Sequence, residues 1–390
     1  MSKKIIKNSN IILRVDDEFN KLIGMKASLF GIKKSAFIRE SCLSNWNISN
    51  QQSFKNLLNI YKSFNENERI LVIDILFQFY RRYGFPHSFL TDDEKVNRMS
   101  RLKNTSVKIA NNDEISINCV GLDLANSFHH QMEYAKSRSD KYFSPIEAYQ
   151  DDDKFKDCIK RWLDLGKSPT PSGIRKILRT RNGVSCVTNF KPSVAKYLYQ
   201  QYCPDNGIVL DPCAGFSGRL LGAIAAQKNI HYYGIDVEPL TAEGNMKCAA
   251  FFSGKEKFRF SFSLDCAESA MLNYRNDYFD IVFTSPPYFD LETYSEYEMQ
   301  SSNCYGDYDS WLKNFLYKII DESCRILKKQ GKFIINVKNL AQYKISDDLI
   351  KYCLSRDLKL VKTYKMLLAN REFRRKDSTV HYEPIFVFEK

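Results

Sequence analysis

From about residue 205 onward, short apolar segments alternate with longer amphipathic stretches. Seven of these segments are rich in β-branched and aromatic residues, which favour strands. They lie at 208–210, 232–235, 258–262, 279–283, 333–337, 358–364 and 384–388. Strands that alternate with helices are typical of a mostly parallel sheet with right-handed crossovers. We therefore predict an α/β domain that covers residues 185–390.

The first 46 residues show a different pattern. Residues 10–15 form a β-branched run that predicts a short strand, in which Asn10, Ile12 and Arg14 share one face. Two helical stretches follow, at about 19–30 and 34–43, and Lys33 and Lys34 stand at the start of the second. A strand and two short helices are too small to bury a core alone, so this module needs a partner chain.

Between these two parts, residues 47–184 read as mainly helical. Residues 51–85 contain apolar stripes at helical spacing, and 70–80 is apolar nearly all round, which predicts a buried helix that ends at Gly84. A further helix is expected at 172–179, after Pro171. Residues 87–140 are polar and weakly periodic. We expect a role other than metal binding for the adjacent His129 and His130, and no metal site.

Composition narrows the class of protein. The chain has 390 residues, more than one domain at ~150 residues each, and 44% of them are hydrophobic, which suits a packed core. No apolar run reaches the ~18 residues of a membrane span. Eleven cysteines without a C-x-x-C pair indicate reduced thiols and a cytoplasmic location. The formal net charge of +12 fits a nucleic-acid partner and a Lys-rich surface equally well.

Candidate ligand-binding residues follow three consecutive strands. The first strand leads directly into a segment that opens a helix, where glycines allow a ligand to approach the backbone. The candidates in that segment are Asp211, Pro212, Ala214, Gly215 and Gly218. Asp236 ends the second strand and can accept hydrogen bonds from two ribose hydroxyls, and Asp265 follows the third. A single segment of this kind is as often an ordinary turn, but the ordered series favours a ligand site at the carboxyl ends of the strands.

The strongest motif directly follows the fourth strand. It consists of Thr284, Ser285, Pro286, Pro287 and Tyr288. The prolines fix the backbone, so that a carbonyl and the serine hydroxyl can face one point, and the tyrosine offers a ring for stacking. Methylation of an exocyclic base amine needs such acceptors, because they bind the amine protons and localise its lone pair for attack on a methyl donor. A flipped base also needs a stacking partner outside the duplex.

With these motifs, residues 185–390 resemble the S-adenosylmethionine-dependent DNA amino-methyltransferases. The resemblance implies a Rossmann-like class I methyltransferase fold with a seven-stranded, mostly parallel sheet, and S-adenosyl-L-methionine as the cofactor. It places segment 211–218 and Thr284 at the cofactor, Asp236 at its ribose and Asp265 near its adenine. Asn189, Phe190 and Lys191 would lie beside the methionine part.

The same resemblance assigns the catalytic roles. Ser285 and the carbonyl of Pro286 would orient the amine, Pro287 would hold the turn, and Tyr288 would stack on the base. The serine-first form of the motif is usual in cytosine-N4 enzymes, which favours cytosine N4 over adenine N6. An RNA acceptor and a DNA-binding regulator that only senses the cofactor stay open as alternatives.

Residues 9–45 resemble the ribbon-helix-helix DNA-binding family. That resemblance implies a homodimer on double-stranded DNA, with Asn10, Ile12 and Arg14 at the bases and Lys33 and Lys34 at phosphate. The alternative is a helical hairpin used for dimerisation only. A second phosphate-contact candidate lies between the last two strands, where a charged hairpin loop is the alternative. It consists of Arg371, Arg374 and Arg375.

Overall fold

The structure is a computed structural model, and it describes residues 4–8, 11–15, 58, 61–62, 64–116, 118–137, 141–181, 183–294, 298–368 and 382–390. The chain forms two compact units. The first comprises Met1–Pro86 with Lys156–Ile177, and the second comprises His87–Phe155 with Leu178–Lys390. Among the described residues, no helix is both long and apolar enough to cross a membrane.

The first unit begins with an antiparallel pair of strands, β1 (Lys4–Asn8) and β2 (Ile11–Val15). The strand predicted at residues 10–15 is therefore present. Its hydrogen-bonded partner is β1 of the same chain, with Lys4 opposite Val15 and Asn8 opposite Ile11. The helices predicted at 19–43 lie outside the described residues, and the homodimer stays a prediction.

A long helix, Glu66–Tyr83, organises the described part of the first unit. Asn65 caps its first turn, and Gly84 ends it with a positive φ of 85°. The prediction that this segment is buried all round was wrong, because Ile70 is 53% exposed. Only the stripe that contains Val72, Ile73, Leu76, Phe77 and Tyr80 is buried. The Tyr80 hydroxyl donates to the Pro169 carbonyl (2.7 Å), which ties this helix to segment 156–177.

The remaining helices are short and mostly lie in the second unit. The α-helices are Asp92–Asn104, Leu122–Asn126, Pro145–Gln150, Asp152–Asp164, Pro171–Thr180, Pro192–Tyr202, Gly218–Ala225, Pro239–Phe252, Ala267–Ala270, Ser301–Cys304, Tyr308–Trp311, Tyr317–Ile326 and Ile345–Ser355. Two 3₁₀ turns, His130–Glu133 and Met271–Asn273, and a π-helical turn, Leu312–Leu316, complete the set of described helices. The helix predicted at 172–179 is present as Pro171–Thr180.

The second unit is built on one large sheet. Its strands are β3 (Glu114–Ile115), β5 (Ile208–Asp211), β6 (His231–Asp236), β7 (Arg259–Leu264), β8 (Phe279–Thr284), β10 (Leu327–Asn336), β11 (Lys359–Leu367) and β12 (Tyr382–Glu389). They are ordered β3-β11-β12-β10-β8-β5-β6-β7, and β12 alone runs antiparallel to its two neighbours. A separate pair joins β4 (Lys136–Ser137) to β9 (Glu292–Thr293). All seven predicted strands are present, but the sheet has eight, because β3 extends it.

Segment 87–155 belongs to this second unit. β3 pairs in parallel with β11 at the sheet edge. The buried Lys196 ammonium donates to the carbonyls of Leu102 (3.1 Å) and Thr105 (2.8 Å), and burial lowers its pKa. The carbonyls of Leu102 and Thr105 are thus satisfied by a side chain that is distant in sequence, which no local sequence pattern shows.

The sheet is covered on both faces, as the alternation of its side chains requires. On β8, Ile281 and Phe283 pack into one hydrophobic core, whereas Val282 packs into the other. The strand order reverses between β5 and β8. From β5 the chain continues through β6 and β7 toward one edge of the sheet, and from β8 it continues through β10 toward the other edge. Ligands of open parallel sheets bind outside the carboxyl ends of the strands at such a switch point. The fold therefore places a site next to Asp211 and Thr284.

Helices Pro192–Tyr202 and Gly218–Ala225 cross closely beside this switch point. A Cβ atom on Gly222 would lie 2.5 Å from the Ala195 Cβ and 2.8 Å from the Lys196 backbone nitrogen. Both separations are shorter than van der Waals contact. Gly222 therefore permits the close crossing, and the crossing sets where the helix that follows β5 begins.

We expect Gly222→Ala to lower the free energy of unfolding by about 1–3 kcal/mol, because the added methyl group overpacks the crossing. Gly306→Ala is the matched control, since a Cβ there meets no atom within 4 Å. Urea unfolding of both variants measures the difference. Equal stability of the two variants would contradict this explanation of Gly222.

Candidate functional site

A cavity of about 580 Å³ opens at the carboxyl ends of β5, β6, β7, β8 and β10. This volume lies within the range of small-molecule and cofactor sites, roughly 300–1,000 Å³. Most of the predicted cofactor-binding and catalytic residues line it. They are Asn189, Phe190, Lys191, Pro212, Gly215, Asp236, Asp265, Ser285, Pro286, Pro287 and Tyr288. The structure thus brings three separate sequence motifs to one cavity.

Four of the residues predicted to bind the cofactor do not line the cavity. Asp211, Ala214, Gly218 and Thr284 are buried behind its wall. They belong to the segments that carry the lining residues, but they are buried in the protein. Their contribution is to the shape of the loops, and the contacts of Asp211 and Gly218 show how.

The Asp211 carboxylate is fully buried and makes three hydrogen bonds within the protein. Arg219 donates through Nε to Oδ2 (2.7 Å) and through a terminal nitrogen to Oδ1 (3.1 Å), and the Tyr232 hydroxyl donates to Oδ2 (2.6 Å). Burial alone would lower the pKa of Arg219, but the charge of Asp211 and its hydrogen bonds raise it above its usual value. Arg219 also donates to the Cys213 carbonyl and lines the cavity, a position that the sequence pattern did not reveal.

Gly218 begins the helix that follows the loop, where two segments meet without room for a side chain. A Cβ there would lie 2.2 Å from the Phe190 carbonyl oxygen and 2.5 Å from Asn189 Oδ1. Asn189 Nδ2 donates to the Phe216 carbonyl (2.5 Å), which closes the contact between the segments. Gly218 therefore acts by letting residues 189–190 reach the cavity.

A buried hydrogen-bond chain holds the middle of the same loop. Ser217 has a left-handed conformation (φ 60°) that non-glycine residues rarely adopt. Asn245 Nδ2 donates to the carbonyls of Gly215 (2.7 Å) and Thr241 (3.0 Å), so its Oδ1 must be the atom that faces Ser217 Oγ (2.9 Å). The Ser217 hydroxyl consequently donates to Asn245 and is left to accept a hydrogen bond from His129.

His129 supplies the last bond of this chain. Its Nε2 lies 2.6 Å from Ser217 Oγ and must carry the proton, while Nδ1 accepts from Gln131 Nε2 (3.0 Å). Burial lowers the pKa of His129 to about 3, so the ring is neutral near pH 7. In the sequence, His129 was notable only because it is adjacent to His130. Its contact with the loop depends on tertiary structure.

Asp236 lines the cavity from the end of β6. Its Oδ2 accepts from the Gly215 backbone nitrogen (2.8 Å) and its Oδ1 from that of Glu238 (3.1 Å). Burial raises the pKa of Asp236 to about 6, and the two backbone bonds limit this rise. The carboxylate also fixes the glycine of the preceding loop. Asp265 is exposed at the end of β7, and its carboxylate accepts from the Cys266 nitrogen (2.7 Å).

The opposite end of the cavity contains the motif that follows β8. The Ser285 hydroxyl donates to Asn336 Oδ1 (3.3 Å). The Tyr288 hydroxyl lies 3.3 Å from both the Oδ1 and the carbonyl oxygen of Asn336. Asn336 ends β10 next to β8, is 2% exposed and lines the cavity. Sequence reasoning missed it, because a lone asparagine at a strand end carries no distinctive signal.

The cations that line the cavity are all paired. Arg179 contacts Glu133 (2.8 Å), Lys191 donates to the Leu367 carbonyl (2.7 Å), Arg219 binds Asp211, and Lys338 contacts Glu383 (2.7 Å). Burial lowers the pKa of Lys191. These contacts hold the four side chains at the wall of the cavity.

The predicted nucleic-acid contacts fall largely outside the described residues. This holds for Asn10, Lys33, Lys34, Arg371, Arg374 and Arg375. Ile12 and Arg14 lie on β2, opposite Lys7 and Ile5 of β1. Their role in DNA binding stays a prediction.

No protein-family model and no curated protein matches this sequence. Several solved structures are similar to about half of the chain. A precorrin-6y C5,15-methyltransferase from Geobacter metallireducens is 14% identical over 51% of this chain and 88% of its own, with a TM-score of 0.35. A methyltransferase from Pyrococcus furiosus is 14% identical over 51% and 82%, with a TM-score of 0.35. TrmN from Thermus thermophilus is 16% identical over 54% and 51%, with a TM-score of 0.36.

This similarity is too low to indicate an activity for the chain, and the fold follows from its own strand order. Strands β7-β6-β5-β8-β10-β12-β11, with only β12 reversed, form the Rossmann-like fold of class I methyltransferases. The predicted fold class is confirmed, with the addition of β3 at the edge.

The neutral His129 makes stability depend on pH. In the unfolded chain the ring takes up a proton below its ordinary pKa of 6.5, whereas the folded protein resists protonation down to about pH 3. The unfolded state thus binds more protons, and stability falls as the pH falls through 6.5. At ~1.36 kcal/mol per pH unit, this group accounts for a loss of about 2 kcal/mol between pH 7.5 and pH 5.

We expect His129→Gln to remove this contribution. The variant is less stable at pH 7.5, and its stability then declines less than that of the wild type as the pH falls to 5. Urea unfolding at several pH values measures both curves, and the carboxylates titrate in both proteins, so the difference isolates His129. Parallel curves would show that His129 is not held neutral.

Proposed function

We propose that this chain transfers a methyl group from S-adenosyl-L-methionine to the exocyclic amine of a base in double-stranded DNA, with cytosine N4 as the first candidate. The observation that carries this proposal is that one cavity contains both Asp236 and the Ser285–Tyr288 motif. A carboxylate suited to a ribose and a group of acceptors suited to an amine are then lined up across a single space. That geometry matches a two-substrate transfer between a nucleoside-like donor and a base.

The residues that line the cavity at the ends of β5, β6 and β7 fit the cofactor. Asp236 presents a carboxylate for ribose hydroxyls, and Gly215 has a positive φ of 58° with no crowding, which leaves space beside the backbone. Asp265 stands where an adenine amino group would be reached. Asn189 and Lys191 line the part of the wall that would hold the methionine carboxylate and amine. When bound, the cofactor supplies an electrophilic methyl group on a sulfonium.

The acceptor end fits a planar base with an amino group. The Ser285 hydroxyl oxygen and the Pro286 carbonyl can each accept one of the two amine protons, which localises the nitrogen lone pair toward the donor. Tyr288 lines the cavity, and its ring can stack on the base. Because such a base must leave the duplex to reach the site, the enzyme would extrude it. Tyr294, which also lines the cavity, adds a second aromatic wall.

The target base, the type of nucleic acid and the homodimer are proposed from the sequence as well as from the site. The serine at the first position of the motif favours cytosine N4, and adenine N6 carries its amine in a similar arrangement next to a ring nitrogen. Double-stranded DNA is proposed as the polymer from the net charge of +12 and from the resemblance of residues 9–45 to ribbon-helix-helix modules. The same resemblance underlies the proposed homodimer.

The reaction is tested by incubating the purified protein with S-adenosylmethionine and unmethylated DNA, followed by mass spectrometry of the nucleosides. We expect N4-methylcytosine. N6-methyladenine would keep the mechanism and change the target, and a labelled methyl group found in RNA but not DNA would change the polymer. No methylated nucleoside despite cofactor binding would favour a regulator that senses the cofactor.

Tyr288→Ala should abolish methyl transfer while cofactor affinity changes by less than about twofold, because we assign the ring to the base and not to the cofactor. Isothermal titration with S-adenosylhomocysteine and the nucleoside assay measure the two effects. Tyr134→Ala is the control, since Tyr134 is exposed and does not line the cavity. Unchanged turnover in Tyr288→Ala would remove Tyr288 from the catalytic site.

Cofactor affinity should rise with pH through about 6. Ribose hydroxyls need the ionised carboxylate of Asp236 as an acceptor, and its pKa is raised to about 6. At pH 5 only about a tenth of the carboxyl groups are ionised, which predicts an affinity roughly tenfold lower than at pH 7.5. Asp236→Asn should bind weakly and without this pH dependence, whereas Asp205→Asn on the surface should match the wild type. A flat profile in the wild type would contradict the ribose assignment.

A further inference from the structure

We infer that Asn336 is a positioning residue that makes the Ser285 hydroxyl a hydrogen-bond acceptor, and that the cavity thereby selects bases with an amino group over their keto counterparts. The inference rests on the proposed function for its choice of substrate. It adds a residue from β10 to a site that the sequence defines only through the motif after β8.

The orientation of the Asn336 side chain is fixed by its contact with β12. Its Nδ2 lies 2.8 Å from the Pro384 carbonyl oxygen, which can only accept a hydrogen bond. An amide turned the other way would place two oxygen atoms in contact. Nδ2 therefore faces β12, and Oδ1 is the atom that faces Ser285 and Tyr288.

This orientation determines the direction of the next two hydrogen bonds. An amide oxygen accepts and never donates, so the Ser285 hydroxyl, 3.3 Å from Oδ1, must donate to it. The Tyr288 hydroxyl lies 3.3 Å from both Oδ1 and the carbonyl oxygen of Asn336, and either of these oxygens can accept its proton. Asn336 is 2% exposed, so bulk water has little access to replace these bonds. The Ser285 proton is therefore directed to Asn336.

The hydrogen bond to Asn336 determines what the Ser285 hydroxyl can offer to a ligand. A serine hydroxyl has one proton, and here that proton is directed to Asn336. What the hydroxyl presents to the cavity is its lone pairs, which can bind an amine proton but repel a carbonyl oxygen. Tyr288 is affected similarly, because its hydroxyl is tied to the end of β10 and the ring is held at a fixed angle for stacking.

This selectivity can be measured with two bases of similar shape that differ in a single exocyclic group. Cytosine and uracil differ at position 4 by an amino group against a keto oxygen, and adenine and hypoxanthine differ in the same way at position 6. A keto oxygen next to Ser285 would meet lone pairs, and the serine could turn to donate only by breaking its bond with Asn336. A site that leaves a buried polar group unpaired discriminates strongly against that ligand.

The experiment measures binding of nucleotides in the presence of S-adenosylhomocysteine, so that it does not depend on turnover. The probes are dCMP against dUMP and dAMP against dIMP, titrated into the full-length protein. We expect the wild type to bind one amino nucleotide about tenfold or more tightly than its keto partner. In Asn336→Ala the Ser285 hydroxyl is free to donate or accept, so the ratio should fall to about one or two.

Two further variants separate positioning from a general loss of structure. In Asn336→Asp a protonated carboxyl can donate to the Pro384 carbonyl while its other oxygen accepts from Ser285, so the preference should be kept. Ser323→Ala removes a buried hydrogen bond to the Ile319 carbonyl, away from the cavity, and should bind as the wild type does. In a Ser285→Ala background, Asn336→Ala should change the ratio no further, because the two residues act together.

An amino-to-keto ratio near one in the wild type would overturn the inference, and so would an unchanged ratio in Asn336→Ala. These results are distinct from a failure of the proposed function. A protein that prefers amino nucleotides in this way but transfers no methyl group would remove the proposed activity and keep the role of Asn336. A protein that methylates DNA but whose preference does not respond to Asn336→Ala would do the reverse.

Discussion

The buried ion pair between Asp211 and Arg219 is the interaction on which the rest of the cavity depends. It joins the end of β5 to the helix that starts at Gly218, and a third bond from Tyr232 ties both to β6. A charge buried in this way is costly without its partner, and loss of one side typically destabilises a protein by about 3–5 kcal/mol. The pair therefore holds the turn that carries Gly215 and Cys213 in the single conformation that leaves a cavity open.

Two buried asparagine side chains determine the direction in which nearby serine hydroxyls donate their protons. Asn245 uses its nitrogen on backbone carbonyls and directs its oxygen to Ser217, and Asn336 does the same between Pro384 and Ser285. In each case the backbone decides the orientation of the amide, and the amide decides which way a serine proton points. Asn245 thereby stabilises the loop that contains Ser217. Asn336 leaves the Ser285 hydroxyl oxygen as the acceptor for the proposed base.

Segment 87–155 contributes more to the site than its sequence indicated. It adds β3 to the edge of the sheet, and it supplies His129, which completes the hydrogen-bond chain to Ser217. A Cβ on Gly244 would lie 2.4 Å from an atom of the His129 ring, so the helix of residues 239–252 is shaped to receive that ring. The sheet of the second unit and the segment before it therefore contact each other at the loop that follows β5.

The sequence alone determined the seven strands and the motifs at their ends, because strand periodicity and the proline-fixed turn after Thr284 are local properties of the chain. It also placed Asp236 and Tyr288 at one edge, since carboxyl ends of parallel strands meet there. The tertiary structure decided which of these side chains face the cavity. Asp211 and Asp236 are both acids at strand ends, yet one is paired with a buried arginine and the other lines the cavity. His129 and Asn336 entered the site only through contacts between segments distant in sequence, and such contacts leave no periodic or local signal.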